Sequence, residues 1–237
     1  QIHIGGFKSS MALADAAGIG QGMRGVDLCC CNGGGMRFLV RFRGVAGMTG
    51  VDATPVVVKS GRKRCREEGM ADKIRFKLGD VCRTGLRGGS ADFVWGEDAW
   101  CYVEDKAKLI AEASRLVKQG GIIAFTDWVE GPVPLGEDEA IRFMKFMKFP
   151  NILCIDEYAG LLRSRGCEVL AAGDTKQFAP HVDLYLNMLN MQLTADALKI
   201  VGFDLPLMQA MGGEMTFMQG LARAGKIAQG MFTARKK

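Results

Sequence analysis

Val26-Asp27-Leu28-Cys29-Cys30-Cys31-Asn32-Gly33-Gly34-Gly35-Met36 is the stretch that decides the fold. A short apolar run carries an acid, three thiols follow, then three glycines, and beyond them the pattern becomes amphipathic. A strand running into glycines ahead of a helical segment lets the backbone approach a ligand closely, because glycine accepts positive φ at little steric cost and helix N-terminal N–H groups point outward.

Working outward, the apolar runs predict strands over Gly25–Cys31, Gly47–Asp52, Lys73–Leu78, Ala91–Gly96, Gly121–Asp127, Cys167–Gly173 and Ile227–Ala234. Between them the period changes to that of a helix. Over Asp105–Val117, residues Leu109, Ile110, Ala113, Leu116 and Val117 share one face, and Asp156 is placed to cap a helix carrying Tyr158, Leu161 and Leu162 that stops at Gly166. Strand-helix alternation calls for an α/β fold, here a Rossmann-like seven-stranded, mostly parallel sheet with helices on both faces. Glu130–Pro150 and Lys176–Gly225 are too long for connections and helical in pattern, eight of the fourteen methionines falling between Met144 and Met218. They are expected to form a helical cap, with 176–225 inserted before the last strand of a single domain spanning 1–237.

Composition narrows the function classes. The chain has 237 residues, 48% hydrophobic and 24% charged, which fits a globular domain with a real core and excludes disorder, collagen and coiled coil. Charges interrupt every hydrophobic run short of the roughly 18 residues a membrane span needs. The first residues lack a signal-peptide layout, so the expected location is cytoplasmic. Three of the eight cysteines are consecutive (Cys29, Cys30, Cys31), and all eight are read as free thiols with no metal site. A net charge of +5 is concentrated at 59–87, where ten cations carry only Phe76 as an aromatic; this reads as a solvated surface rather than a nucleic-acid face.

The first turn gains weight from two further strand ends. Gly50-Val51-Asp52 offers a carboxylate that can accept from both hydroxyls of a ribose, and Gly79-Asp80-Val81 offers another for an adenine amine. With an acid at each of three successive strand ends, the sequence resembles the class I S-adenosylmethionine-dependent methyltransferases. Their Asp/Glu-x-Gly-x-Gly-x-Gly turn is matched by Asp27-x-Cys29-x-Cys31-x-Gly33, and the motif before their fifth strand by Val117-Lys118-Gln119-Gly120-Gly121. Cysteine replaces glycine at 29 and 31, which puts side chains where the family has bare backbone.

Within that class the pattern is similar to the sarcosine/dimethylglycine and phosphoethanolamine N-methyltransferases, through Ile2-His3-Ile4-Gly5-Gly6, through Glu97-Asp98-Ala99-Trp100-Cys101-Tyr102, and through Ala224-Gly225-Lys226…Gly230-Met231-Phe232. Tyr102 stands where those enzymes carry histidine. The resemblance implies S-adenosyl-L-methionine as cofactor, held by Asp27, Cys29, Cys31, Gly33, Asp52, Ala53, Asp80, Val81 and Glu97. It implies a small polar amine such as sarcosine or dimethylglycine as acceptor. Asp98, Tyr102 and His3 are the expected acid-base groups. Trp100 and Trp128 are expected to face the growing positive charge, with His181 and Arg142 also at the acceptor. Left open are an RNA-modifying methyltransferase using 59–87, a non-catalytic cofactor-binding protein, and the oligomeric state, a homodimer included.

Overall fold

The computed structural model describes residues 3–191 and 194–237. In chain order the elements are α1 (Gly6–Ala16), β1 (Arg24–Leu28), α2 (Gly34–Phe42), β2 (Gly47–Asp52), α3 (Pro55–Glu67), β3 (Ile74–Leu78), β4 (Ala91–Glu97), a 3-10 turn at Trp100–Tyr102, α4 (Lys106–Leu116), β5 (Val117–Glu130), α5 (Glu137–Met147), α6 (Ile155–Ser164), β6 (Cys167–Asp174), α7 (Phe178–Met191), α8 (Thr194–Ile200), α9 (Leu205–Arg223) and β7 (Ile227–Lys236).

The strands form one sheet in the order β3-β2-β1-β4-β5-β7-β6. Neighbours from β3 to β5 are parallel, while β7 runs antiparallel between β5 and β6. The order reverses between β1 and β4, which opens a crevice at their carboxyl ends. Apolar residues on both sides of these strands bury two cores. One gathers Leu109, Ile110, Leu116 and Tyr158 from α4 and α6; the other gathers Leu13, Met36, Leu39 and Val58 from α1, α2 and α3. A third cluster joins Ile4 to Phe143, Phe149, Phe178, Val182, Met218 and Leu221, so that α5, α7, α9 and the N-terminal segment pack together.

Two local readings are corrected. The first strand stops at Leu28 rather than Cys31, because Cys29 and Cys31 have φ of 63° and 48° and cannot continue an extended ladder. Asp156 is not the cap of its helix: α6 begins at Ile155, and the Glu157 carboxylate accepts from the Cys154 N–H at 2.7 Å. Asp105 does cap α4, accepting from the Lys108 N–H at 2.8 Å.

Candidate functional site

The crevice widens into a cavity of about 950 Å³ above the ends of β1, β2 and β4. Its first wall is the turn after β1. Cys29, Cys31 and Gly33 all have positive φ, and the last has 75°. These are the three places where the family turn carries glycine, so the backbone keeps the glycine conformation although two residues bear a Cβ. A left-handed L-residue costs roughly 1–2 kcal/mol. Asp52 helps to hold the turn: its carboxylate accepts from the Cys31 N–H at 2.8 Å and from the Thr54 N–H at 2.9 Å. Gly50 is needed behind it, since a Cβ there would lie 2.5 Å from the Cys30 Sγ.

The acids on this side suit a donor-rich ligand. Asp27 is buried at the end of β1, and among the described residues no hydrogen-bond donor reaches its carboxylate. Burial first, then the charges of Glu97 and Asp52, hold it well above the usual carboxylate range. Asp52 is half-buried, and Asp80 is exposed with one oxygen accepting from the Cys82 N–H at 2.8 Å. Asp27, Asp52, Ala53, Asp80, Val81, Cys29, Cys31 and Glu97 all line the cavity. Gly33 lies beneath the turn, where a Cβ would strike the Phe76 ring at 2.6 Å. An acceptor-only set of this kind complements a ligand bearing a ribose diol, an exocyclic amine, an ammonium and a sulfonium.

The other wall rises from β4, β5 and the N-terminal segment. Glu97 accepts from the Ser10 hydroxyl at 2.5 Å and lies 3.3 Å from His3 Nε2, while Ser10 Oγ and His3 Nε2 are 3.2 Å apart. Desolvation raises the pKa of Glu97 against the opposing pull of His3 and Ser10. Asp98 sits at φ 50° and is almost fully occupied: Ile4 N–H donates to Oδ2 at 2.8 Å, and the Gln229 amide donates to both oxygens at 2.9 and 2.8 Å. Its pKa is also raised, burial outweighing those donors. Below it Asp127 accepts from the Tyr158 hydroxyl at 2.6 Å and from the Cys101 N–H at 3.0 Å, and burial pushes it up to about 7.

His3, Asp98, Tyr102 and Trp128 therefore meet at one cavity. The other expected acceptor residues do not join them. Trp100 is fully buried, stacked on Phe125 at 4.1 Å with its indole N–H donating to the Leu28 carbonyl at 3.1 Å, because the 3-10 turn directs it over Gly96 into the core. Arg142 is engaged by Glu214 at 3.0 Å and covers the Phe217 ring at 4.0 Å. His181 bonds its own helix through Nδ1 and the Gln177 carbonyl at 2.7 Å. Neither lines the cavity. Of the N-terminal motif, Ile2 lies outside the described residues.

Sequence reasoning missed Gln229, Ser10 and Met147. Gln229 had a visible signal, a polar amide between Ala228 and Gly230 in the apolar first half of its strand. It also missed the rings around Trp128: Phe178 at 4.7 Å, Phe149 at 5.5 Å and Phe143 at 6.2 Å, the second also edge-on to Tyr102 at 4.9 Å.

A parallel sheet with a topological switch, an acid at the end of each of β1 and β2 and another just past β3, over one shared cavity, defines a Rossmann-like domain for a nucleoside cofactor. Residues 26–125 match the family described as a methyltransferase domain, and the chain has the fold of the class I S-adenosylmethionine-dependent methyltransferases. It is 27% identical over 158 residues to the chloroplastic tocopherol O-methyltransferase of Arabidopsis thaliana, a match covering 63% of this chain and 45% of that one. A 27-O-demethylrifamycin SV methyltransferase from Amycolatopsis mediterranei is also 27% identical, over 66% of this chain and 58% of its own. The chain thus spans less than two thirds of these curated relatives. Among solved structures, a proposed sarcosine dimethylglycine methyltransferase from Galdieria sulphuraria superposes with a TM-score of 0.86 at 25% identity, covering 97% of this chain and 86% of that one. Phosphoethanolamine N-methyltransferase 2 of Haemonchus contortus, solved with S-adenosylhomocysteine, gives 0.87 at 18% identity, over 100% and 54%. No helix among the described residues is long and apolar enough to cross a membrane.

Proposed function

We propose that the protein transfers a methyl group from S-adenosylmethionine to the nitrogen of a small-molecule amine. The observation that carries this reading is the joining, in one cavity, of the Asp27–Asp52–Asp80 side to a wall made by His3, Glu97, Asp98, Tyr102 and Trp128. When bound, the cofactor supplies an electrophilic methyl on a sulfonium. The chain has no covalent chemistry to perform and acts by proximity, alignment and exclusion of water.

Asp52 holds the ribose hydroxyls and Asp80 the adenine amine, while the left-handed turn at Cys29–Gly33 bends the backbone around the methionine portion. A protonated amine has no lone pair, so a nearby group must take its proton. The His3–Glu97 pair fills that role. Asp98, with both oxygens already engaged, is a positioning residue that ties Ile4 to the end of β4. Trp128 and Tyr102 offer ring faces to the cationic product, worth roughly 0.5–2 kcal/mol each. The helices α7 to α9, inserted between β6 and β7, act as part of a lid with the N-terminal segment.

The test is a radiolabelled methyl-transfer screen on the purified chain with ethanolamine, N,N-dimethylethanolamine, glycine, sarcosine, dimethylglycine, phosphoethanolamine, arsenite and total RNA. Label in small amines is expected. Label in RNA alone would refute the proposal and return attention to residues 59–87.

A further inference from the structure

The charged groups of the cavity are sorted by side. The cations that line it, Arg37, Arg64 and Lys108, stand on α2, α3 and α4, around the portion assigned to the nucleoside. Two of them are already engaged, Arg37 with Glu68 at 3.3 Å and Lys108 with Asp105 at 2.9 Å.

The wall beyond Glu97 is different. It offers Glu97, Asp98, Tyr102, Trp128 and Met147, and among the described residues no lysine or arginine joins them. Each cation that sequence or topology brings near has another task. Arg142 is bound to Glu214, and Lys106 is buried with its ammonium on the Val103 carbonyl at 2.5 Å and on Asn151 Oδ1 at 2.7 Å. Lys226 is paired with Glu139. Lys145 and Lys148 on and after α5 are exposed and outside the lining. His3, the remaining basic group, already faces Glu97 and Ser10.

We infer that the acceptor half of this cavity takes an amine with no carboxylate or phosphate, its remaining surface uncharged or apolar. An anionic acceptor would lose water against acids and rings with no compensating cation, a cost of several kcal/mol per buried ion. An ammonium or a neutral amine meets the opposite situation, aromatic faces and carboxylates that favour it. This rests on the methyltransferase reading above and narrows it: among the described residues of this wall, no lysine or arginine is there to pair the carboxylate of sarcosine and dimethylglycine or the phosphate of phosphoethanolamine.

The experiment compares N,N-dimethylethanolamine with N,N-dimethylglycine, amines that differ in one terminal group. Each is titrated calorimetrically into the full chain saturated with S-adenosylhomocysteine, and turnover is measured with S-adenosylmethionine. The alcohol is expected to bind and react at least about 30-fold better, a factor that corresponds to part of one unpaired-ion penalty. Equal or better binding of dimethylglycine would overturn the inference, as would binding of neither. Failure of S-adenosylhomocysteine itself to bind would defeat the methyltransferase reading instead. As a second readout, Met147→Lys, in a chain that still binds S-adenosylhomocysteine, should close the gap between the two amines at least about threefold. An unchanged ratio would mean that a missing cation is not the cause.

Discussion

The two halves of the cavity use acids in opposite ways. On the β1–β3 side, Asp52 and Asp80 are half-buried or exposed and are bonded to backbone N–H groups, Asp80 within its own loop and Asp52 both within its own loop and to the turn after β1. On the β4–β5 side, Glu97, Asp98 and Asp127 are clustered and sunk among side chains that come from α1, α6 and β7. The first arrangement is local and leaves lone pairs facing the cavity. The second is long-range, and it consumes most of its acceptors in holding the N-terminal segment and β7 together. The acids of the first side hold nearby backbone, whereas those of the second tie together elements far apart in the chain.

The largest effect expected from this contrast is in the pH dependence of stability. Asp127 rises from an unfolded value near 3.8 to about 7 in the fold. The native state therefore binds the extra proton, so the stability it confers is complete below pH 4 and is lost as pH rises to 7. The shift corresponds to ~4 kcal/mol as an order of magnitude. Urea unfolding from pH 4 to 8 should show a decline over that window, reduced in Asp127→Asn, whose amide oxygen still accepts from Tyr158. An identical slope in the variant would remove Asp127 as its source.

Next in size is Gln229→Leu, which strips the amide from Asp98 and leaves a buried carboxylate short of donors. A loss of about 3 kcal/mol in unfolding free energy is expected. Undiminished stability would mean that the clasp between Ile4, β4 and β7 is dispensable. On the other side, Asp52→Ala should leave the fold intact and weaken S-adenosylhomocysteine binding by at least ~2 kcal/mol, because a carboxylate loses two hydrogen bonds at once. Calorimetry would read this directly, and unchanged affinity would contradict the ribose assignment.

How legible each half is in sequence follows from the same difference. The cofactor side is built from segments close in the chain, an acid at a strand end and a turn just after it, so Asp27, Asp52 and Asp80 could be placed by spacing alone. The strands were legible too, since their apolar runs serve a sheet covered on both faces. The acceptor side is assembled by Ile4, Asp98 and Gln229, which are 94 and 131 residues apart, and no local pattern reports such a junction. Trp100 shows the limit most clearly: an aromatic two residues past an acid at a strand end looked exposed to the crevice, yet one 3-10 turn rotates it into the core beside Phe125. Trp128 lies one residue past the expected end of its strand; the structure extends β5 to Glu130 and keeps this ring at the cavity.

The smallest effect concerns Cys29 and Cys31. Replacing either by glycine relieves a left-handed conformation and should raise stability by up to ~1 kcal/mol, offset in part by the greater freedom of glycine in the unfolded chain. Cofactor affinity should be retained in both glycine variants. A destabilised Cys29→Gly would mean that the thiol packing against the core outweighs the backbone strain.

The central claim is that one cavity holds the methyl donor on its acid-lined side and an amine on its aromatic side. It is tested most directly by measuring, on the same preparation, S-adenosylhomocysteine affinity and methyl transfer for Asp52→Ala and Trp128→Leu. The account predicts that Asp52→Ala loses affinity for the cofactor product, and that Trp128→Leu binds it normally while losing acceptor turnover. A Trp128→Leu chain with full turnover, or a joint loss of both properties in each variant, would contradict it.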